Sequence, residues 1–301
     1  MGDKSNFKGK LCAVIVTHNP DTRITEVVDV CRKQVDFIFI VDNASVSEKR
    51  SLVENLNREI FADRIDLTLN DKNIGLPKAY NHAIKRGMEC NCESFIFLDQ
   101  DSILEANSVQ KVKSVLSELH ISKNIGALNF SNIETKQATS ELLISKIHDR
   151  NYVKGHLYSD GGIKEVKSLI NSGLYITSNV LKQVGFFSEE LFVDSVDLDL
   201  SFKLRNAGLR MFLVINAKIS HNIDSDFITK GLIIARNHNV EREYHIIKDG
   251  LTVVKKWYKR YFISCMALLT LIILGILVRM IFLPCRKNRF KIIMNALRNY
   301  R

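Results

Sequence analysis

Two aspartates separated by one residue are the first feature of this 301-residue sequence that could do chemistry. Asp99-Gln100-Asp101 directly follows the apolar run 94–98, which has the composition of a buried strand. Residues i and i+2 of an extended chain point the same way, so the two carboxylates converge just beyond the strand. A cation offsets their repulsion, and carboxylate oxygens suit Mg²⁺ or Mn²⁺. The spacing therefore predicts a divalent metal site that also takes substrate phosphates.

Polar residues follow other apolar runs as well. Asp42, after the run 37–41, can accept a hydrogen bond from a ribose hydroxyl or from the N–H of a pyrimidine base. The segment 73–78, NIGLPK, combines a turn glycine, a proline in the first helical turn and Lys78. Backbone donors together with this lysine can hold a diphosphate.

Each of these features also has a purely structural interpretation. Asp101 or Ser102 would cap a helix near 105–120, and Asp42 would cap a helix over 47–60. The segment 73–78 would be an ordinary junction between a loop and a helix.

The elements that must position these residues alternate along the first half of the chain. Apolar runs of strand type alternate with helical patterns, and this order predicts a parallel sheet with right-handed crossovers. Ligands of such sheets bind beyond the carboxyl ends of the strands. The predicted strands are 11–17, 37–41, 65–69 and 94–98, and the predicted helices are 22–34, 47–60 and 76–88.

The second half of the chain is less regular. We expect a polar loop over the site at 131–165 and a basic amphipathic helix over 241–260. The remaining predicted elements are a strand at 125–130, helices at 178–185 and 195–208, and a last strand at 211–219.

The C-terminal region carries the excess charge. Eleven of the 43 Lys and Arg residues lie in 255–301, which has no Asp or Glu, so 1–254 holds 32 basic against 33 acidic residues. These charges flank the uncharged run 262–278 on both sides, which favours anionic lipid over nucleic acid. A spanning helix needs about twenty apolar residues and normally shows a charge bias to one side. The pattern predicts a segment lying in the cytoplasmic leaflet; the alternative is a buried helix of a C-terminal subdomain.

The six cysteines form no CxxC pair and no metal framework. We interpret them as reduced thiols, and the polar N-terminus predicts no signal peptide. The expected location is the cytoplasmic face of a membrane.

Four short segments in this order resemble a family 2 glycosyltransferase of the GT-A fold, in the DQDS form of bacterial rhamnosyltransferases. They are VIVTHN at 14–19, VDNAS at 41–45, NIG at 73–75 and LDQDS at 98–102. The resemblance implies an α/β nucleotide-sugar-binding domain with a mainly parallel sheet over 1–250 and a membrane-associating helical region over 251–301. It also implies that the membrane is the bacterial inner membrane.

The resemblance also implies roles for particular residues. Asp197, in the segment FVDSVDLDLS at 192–201, matches the catalytic base, and His221 matches a late histidine that joins Asp99 and Asp101 at the metal. Asp197 could instead supply negative charge to a helix N-terminus, and a lone histidine is more often structural. The donor would contact Thr17, Asn19, Asp42, Asn73, Gly75, Lys78 and Asp99. Acceptor binding or helix support falls to Asp199, Arg242 and Tyr244.

The implied reaction is metal-dependent transfer of a sugar with inversion. The resemblance implies rhamnose from dTDP-rhamnose as the donor group, a polyprenyl-diphosphate-linked glycan as the acceptor, and cell-surface polysaccharide as the product. The alternatives are a UDP-sugar donor, or a non-catalytic membrane-bound scaffold that binds sugar. A nucleotidyltransferase would need a glycine-rich, basic loop after the first strand, and a dinucleotide oxidoreductase a GxGxxG motif there; THNP at 17–20 provides neither.

Overall fold

The computed structural model of the protein describes residues 9–59, 64–119, 124–133, 162–221, 227–230, 233–236 and 240–300. The strands are β1 Lys10–Thr17, β2 Phe37–Asn43, β3 Ile65–Asn70, β4 Cys92–Asp99, β5 Ser102–Leu104, β6 Ile125–Ile133, β7 Ile163–Val166, β8 Leu174–Thr177, β9 Arg210–His221, β10 Phe227–Lys230 and β11 Ile233–Arg236. The helices are α1 Arg23–Arg32, α2 Ser47–Glu59, α3 Leu76–Glu89, α4 Ser108–Leu119, α5 Ser178–Val184, α6 Val196–Asn206, α7 Val240–Trp257, α8 Phe262–Phe282 and α9 Arg286–Asn299.

Nine of the described strands form one mixed sheet. Its order is β3-β2-β1-β4-β8-β6-β9-β5, with β7 also pairing with β9. The pairs β3/β2, β2/β1 and β1/β4 are parallel, as the alternation of strands and helices predicts. β8 lies antiparallel between β4 and β6, so the second half departs from a purely parallel sheet.

Apolar side chains cover both faces of the sheet. Along β1, Cys12 and Val14 face one cluster, whereas Leu11, Ala13 and Ile15 face the other. This alternation follows from the two-residue period of a strand, and both faces are apolar because helices cover both. The central strands are therefore fixed from two sides, which holds their carboxyl ends at one edge.

The structure confirms the helices and strands predicted in the first half within a few residues. β9 is not the last strand, because the hairpin of β10 and β11 follows it. Most of the loop predicted at 131–165 lies outside the described residues, and β7 begins within its last part.

One prediction about the cysteines is wrong. Cys12 of β1 and Cys92 of β4 form a disulfide, with their Cα atoms 6.2 Å apart. The two residues are 80 positions apart in sequence but lie on neighbouring parallel strands. Cys31, Cys90, Cys265 and Cys285 are free thiols.

The three C-terminal helices pack on the body of the protein and on one another. Arg289 of α9 contacts Glu243 of α7, and both side chains are buried. Gly250, where the sequence places a domain boundary, lies inside α7 and packs against Ile272 of α8. Among the described residues, α8 is the one helix long and apolar enough to cross a membrane by length and composition.

Candidate active site

The ends of four strands bring the predicted site residues to one edge of the sheet. In the strand register Thr17 is the partner of Asp42, Val16 is the partner of Asp99, and Asn43 is the partner of Asn70. The carboxyl ends of β3, β2, β1 and β4 therefore lie side by side, where an open α/β sheet binds its ligands.

Asp42 is fully buried and bonded within its own chain. Its Oδ1 accepts hydrogen bonds from the hydroxyls of Thr17 at 2.8 Å and Ser45 at 2.5 Å, and its Oδ2 accepts the Ser45 N–H at 3.0 Å. Arg50 Nε lies 3.5 Å from Oδ2. The backbone N–H that Asp42 accepts belongs to Ser45, which precedes α2, and its contact with α2 is to the Arg50 side chain, so the helix-cap interpretation is wrong. Asp42 instead fixes the turn between β2 and α2.

The turn after β2 is also tied to the loop after β1. Asn19 accepts the Val46 N–H at 2.9 Å through its side chain, and its own N–H donates to Ser45 Oγ at 2.7 Å. Asn19 and Ala44 both have positive φ, at 51° and 65°. Non-glycine residues in this region cost free energy, and such strain concentrates at binding and catalytic sites.

The loop between β3 and α3 is held by asparagine side chains. Asn43 Nδ2 donates to Asn73 Oδ1 at 2.8 Å, and Asn43 Oδ1 accepts the Ile74 N–H at 3.0 Å. Gly75 has a φ of 85°, and a Cβ built there would lie 2.9 Å from the ring and the carbonyl oxygen of Phe192. This position requires glycine on both grounds. Lys78 is exposed in the first turn of α3.

The turn that carries Asp99 and Asp101 is anchored through the residue between them. Gln100 Oε1 accepts the His18 N–H at 2.8 Å, so this turn is joined to the end of β1. Ser102 begins β5 and α4 begins at Ser108, so Asp101 and Ser102 do not cap that helix. Ser102 is the strand partner of His221, which places the His221 backbone beside the turn; its side chain lies outside the described part of the structure.

Asp197 lies in the first turn of α6 and is partly exposed. Its Oδ1 accepts the Leu198 N–H at 2.8 Å, so Asp197 does supply negative charge to the N-terminus of α6. The preceding residue but one, Ser195, is left-handed with a φ of 58°. The segment before it contacts the loop after β3, because the Leu76 N–H donates to the Phe192 carbonyl at 2.6 Å.

Asp249 holds the segment that leads to Asp197, which sequence reasoning did not anticipate. One oxygen, Oδ2, accepts the backbone N–H groups of Phe192, Val193 and Asp194 at 2.9, 2.9 and 3.1 Å. Asp249 is fully buried on α7. One turn earlier, His245 stacks on the Phe192 ring with 4.0 Å between ring centroids. Phe192 thus lies between Gly75 on one side and α7 on the other.

Asp199 was predicted to bind the acceptor or to support a helix, and its contacts in the structure are those of a residue that supports helices. It is buried and bonded to Ser188 Oγ at 2.6 Å and Trp257 Nε1 at 2.7 Å. Lys256 Nζ lies 3.0 Å away and Lys203 Nζ 3.8 Å away. These contacts join α6 to α7.

The two other residues of that group are also on α7. Arg242 is exposed, with its Nε 3.7 Å from Asp194 Oδ2. The Tyr244 hydroxyl accepts from Asn299 Nδ2 of α9 at 3.2 Å. The geometry gives Tyr244 a contact between helices, while Arg242 remains beside the segment before Asp197.

Tyr80 is a second site residue that the sequence did not single out. It is fully buried on α3, and its hydroxyl has no hydrogen-bond partner among the described residues. Burial raises the pKa of Tyr80 well above its ordinary value of 10.0, and the negative charges of Asp99 and Asp197 raise it further. Asp99 and Asp197 thus act on the same phenol, although they lie on separate elements.

The chemistry of the donor set fits a hard divalent cation. Asp99 and Asp101 are partly exposed carboxylates on an anchored turn, and Mg²⁺ binds proteins through one or two carboxylates plus substrate phosphates. Within the described ranges, no group of three or more His, Cys, Asp or Glu side chains is arranged to hold a metal. Among the described side chains the candidate ligands are therefore Asp99 and Asp101, and the predicted ligand His221 is not among those side chains.

The fold and the arrangement of the strand ends are of the GT-A type found in glycosyltransferases. Glycosyl transferase family 2 matches residues 12–164, so the chain belongs to this family and is a glycosyltransferase. It is 23% identical over 253 residues to the dTDP-rhamnosyl transferase RfbF of Shigella flexneri, covering 83% of this chain and 81% of that protein.

Solved glycosyltransferases share the fold. GalNAc-T7 with UDP, GalNAc and Mn²⁺ superposes with a TM-score of 0.62 at 14% identity. The match covers 86% of this chain and 49% of the GalNAc-T7 chain. The mannosyltransferase PcManGT of Pyrobaculum calidifontis, with GDP-Man and Mn²⁺, gives 0.58 at 13% identity, covering 97% and 74% of the two chains. TarS 1–349 of S. aureus with UDP-GlcNAc gives 0.55 at 15% identity, covering 97% and 80%.

Proposed function

We propose that the protein is an inverting, metal-dependent rhamnosyltransferase that moves rhamnose from dTDP-rhamnose onto a lipid-linked glycan. The observation that carries the transfer site is the bond between the segment that leads to Asp197 and the carboxyl edge of the sheet: the Leu76 N–H, after β3, donates to the Phe192 carbonyl at 2.6 Å. Asp197 would therefore act beside the edge of the sheet where the donor diphosphate would bind. The likeness to a dTDP-rhamnosyl transferase supports the choice of sugar.

In the proposed reaction an acceptor hydroxyl oxygen attacks the anomeric carbon while the bond from that carbon to the diphosphate oxygen breaks. Asp197 accepts the hydroxyl proton, and the nucleoside diphosphate leaves. Asp99 and Asp101 would hold Mg²⁺ or Mn²⁺, which when bound offsets the charge on the leaving diphosphate. Lys78, exposed at the start of α3, adds positive charge on the same side.

The nucleoside part of the donor would lie on the floor formed by β1 and β2. Thr17 and Asp42 are bonded to each other there, and Asn19, Asn73 and Gly75 shape the rims. Because the Asp42 carboxylate already accepts three hydrogen bonds, its first role is to fix Thr17 and Ser45. A base N–H would bond to Asp42 in exchange for one of these contacts.

The acceptor in this proposal is a polyprenyl-diphosphate-linked glycan at the cytoplasmic face of the membrane. The support is chemical: the helix that packs beside the Asp197 segment is apolar, and the region around it is basic. A diphosphate-linked lipid combines a long apolar chain with negative charge, and this pairing matches both properties.

Binding of dTDP, UDP and GDP to the purified full chain, each with and without Mn²⁺, tests the donor. We expect Mn²⁺-dependent binding of dTDP in preference to the other two. Preference for UDP would remove the rhamnosyl assignment and leave a UDP-sugar transferase. Absence of binding by folded protein would favour the non-catalytic scaffold.

Sugar transfer by variants tests the chemistry. We expect Asp197→Asn and Asp101→Ala each to lower the transfer rate by at least about a hundredfold. Asp71→Asn, in an exposed turn after β3, is the matched control. Near-normal transfer by both site variants would overturn the proposed mechanism.

A further inference from the structure

The helix α8 has one side packed on the protein and another side exposed. The packed residues recur at helical spacing and belong to the same core as the sheet: Cys265, Leu268, Ile272, Ile276 and Met280. The exposed residues are also aliphatic and recur at helical spacing, with exposed fractions of 85% for Ile263, 50% for Leu274, 51% for Leu277 and 55% for Ile281. The exposed stripe has no cover in the described part of the chain, whereas the packed side is an integral part of the fold.

The helix α9 folds back and packs on α7. Arg289 of α9 contacts Glu243 of α7, and the two side chains are only 3% and 2% exposed. Ile293 and Ala296 of α9 are buried in the core that also contains Val253 of α7. The segments before and after α8 therefore belong to one packed unit.

This packing decides how α8 can meet a bilayer. Its 21 residues span about 31 Å, which equals the hydrocarbon thickness of about 30 Å. A crossing would place α7 and α9 on opposite sides and break the contact between Glu243 and Arg289. It would also expose Arg279, whose Nε lies 3.9 Å from Glu243, to hydrocarbon. If α8 meets a bilayer with this packing intact, it therefore lies along the membrane surface and does not cross it.

The charges around the stripe favour anionic lipid over a second copy of the chain. Residues 255–301 contain no acidic residue. Two copies packed by this face would bring two acid-free, basic surfaces together, whereas anionic headgroups complement them. The exposed cations near the two ends of α8 and along α9 are Lys255, Lys259, Arg260, Arg286, Lys287, Lys291 and Arg298.

We infer that α8 and α9 form a docking surface that lies in the plane of an anionic bilayer, with the stripe of Ile263, Leu274, Leu277 and Ile281 entering the boundary between headgroups and acyl chains. The surface also locates the bilayer relative to the site. A Cβ built on Gly250 would lie 2.6 Å from Ile272 of α8 and 3.8 Å from Ser195 Oγ, two residues before Asp197. The helix α8 thus lies between the bilayer and the segment before Asp197, so the membrane runs about one helix diameter, about 10 Å, from that segment; this last step rests on the proposed function.

Flotation of the full chain with vesicles tests the surface. We expect binding to phosphatidylcholine vesicles that contain phosphatidylglycerol, weaker binding without it, and release by salt. Leu274→Gln with Leu277→Gln should weaken binding by at least about tenfold, because two exposed aliphatic side chains no longer enter the lipid. Lys287→Gln with Lys291→Gln should remove most of the preference for phosphatidylglycerol. Leu69→Gln, the same change at an exposed leucine of β3, is the control and should bind as the unchanged protein does.

Two outcomes would overturn the inference. Tags at the two termini should be reached by protease on the same side of the membrane; protection of one tag only would mean that α8 spans. Equal flotation of the Leu274 and Leu277 variant, together with a smaller mass by light scattering, would mean that the stripe joins two copies. Binding of dTDP by the same samples measures the donor site separately. Vesicle binding without dTDP binding would contradict the proposed function but not the docking surface.

Discussion

One oxygen of Asp249 accepts the backbone N–H of Phe192 at 2.9 Å, across 57 residues of sequence. The same oxygen accepts the next two N–H groups, so one buried carboxylate fixes a three-residue segment. This segment leads to Ser195 and Asp197 and touches Gly75 on its other side. Asp197, which is the proposed base, the loop after β3 and the helix α8 are thus connected through α7.

The first prediction concerns this connection. Asp249→Ala leaves three part-buried N–H groups without this acceptor. An unsatisfied buried group costs about 1–3 kcal/mol, so we expect the free energy of unfolding to fall by about 3 kcal/mol. Asp249→Asn keeps an acceptor oxygen and should lose less. In folded protein, kcat should fall more than the affinity for dTDP, because the segment before Asp197 shifts. Urea unfolding and transfer kinetics measure both, with Lys248→Met as the neighbouring control; unchanged kcat in Asp249→Ala would contradict the positioning role.

The second prediction separates two aspartates on one helix turn. Asp197→Asn should abolish transfer, because it removes the proposed base. Because Asp197 is partly exposed, the same change should alter the free energy of unfolding by less than about 1 kcal/mol. Asp199 is buried against Trp257 and the largely buried Lys203, so Asp199→Asn should cost about 3 kcal/mol by leaving the Lys203 charge without its carboxylate partner. Its kcat per folded molecule should remain. Thermal unfolding and transfer assays of both variants test this prediction. A stable, inactive Asp199→Asn together with an unstable, active Asp197→Asn would contradict it.

The third prediction concerns the buried phenol of Tyr80. Its hydroxyl has no partner within the described structure, so Tyr80→Phe should leave the free energy of unfolding unchanged or raise it by up to about 2 kcal/mol. Because the negative charges of Asp99 and Asp197 raise the pKa of this phenol in addition to burial, we expect transfer to fall by about tenfold in the same variant. A variant that is both less stable and fully active would show that the hydroxyl serves the core.

The sequence predicted the half of the fold in which local pattern and tertiary structure agree. Continuous apolar runs identified β1 to β4, and the polar residues after them met at one edge because parallel strands end together. β8 was missed because LYIT at 174–177 is too short to show a period, and its antiparallel direction depends on its neighbours β4 and β6.

The supporting residues of the site were harder to predict for a related reason. Asp249 bonds to backbone N–H groups, which every residue carries, so no side-chain pattern reports the contact. The sequence pattern predicts Tyr80 to be a core residue of α3. The effect of the Asp99 and Asp197 charges on its phenol depends on the three-dimensional arrangement. The glycine of NIG at 73–75 was detectable, but its close approach to Phe192 was not.

The fourth prediction concerns the metal. If Asp99 and Asp101 hold the cation, Asp101→Ala should raise the Mn²⁺ concentration needed for half-maximal dTDP binding by at least about tenfold, through loss of one carboxylate ligand. Asp21→Ala, in an exposed turn after β1, should leave it unchanged. Calorimetric titration of Mn²⁺ in the presence of dTDP gives this value. Equal Mn²⁺ dependence in the two variants would place the cation elsewhere.

The last prediction is a pH dependence centred on His245, which stacks on Phe192. Burial lowers the pKa of His245 below its ordinary value of 6.5 and Lys248 lowers it further, while Asp249 and Glu241 raise it. The folded pKa therefore lies below the unfolded one, so this contribution to stability is complete above about pH 6.5 and is lost as the pH falls through the folded pKa. His245→Phe keeps an aromatic ring against Phe192 and removes the titration. We expect the unchanged protein to lose stability relative to this variant between about pH 7 and about pH 5 in urea unfolding; a constant difference across that range would show that His245 stays outside the linkage.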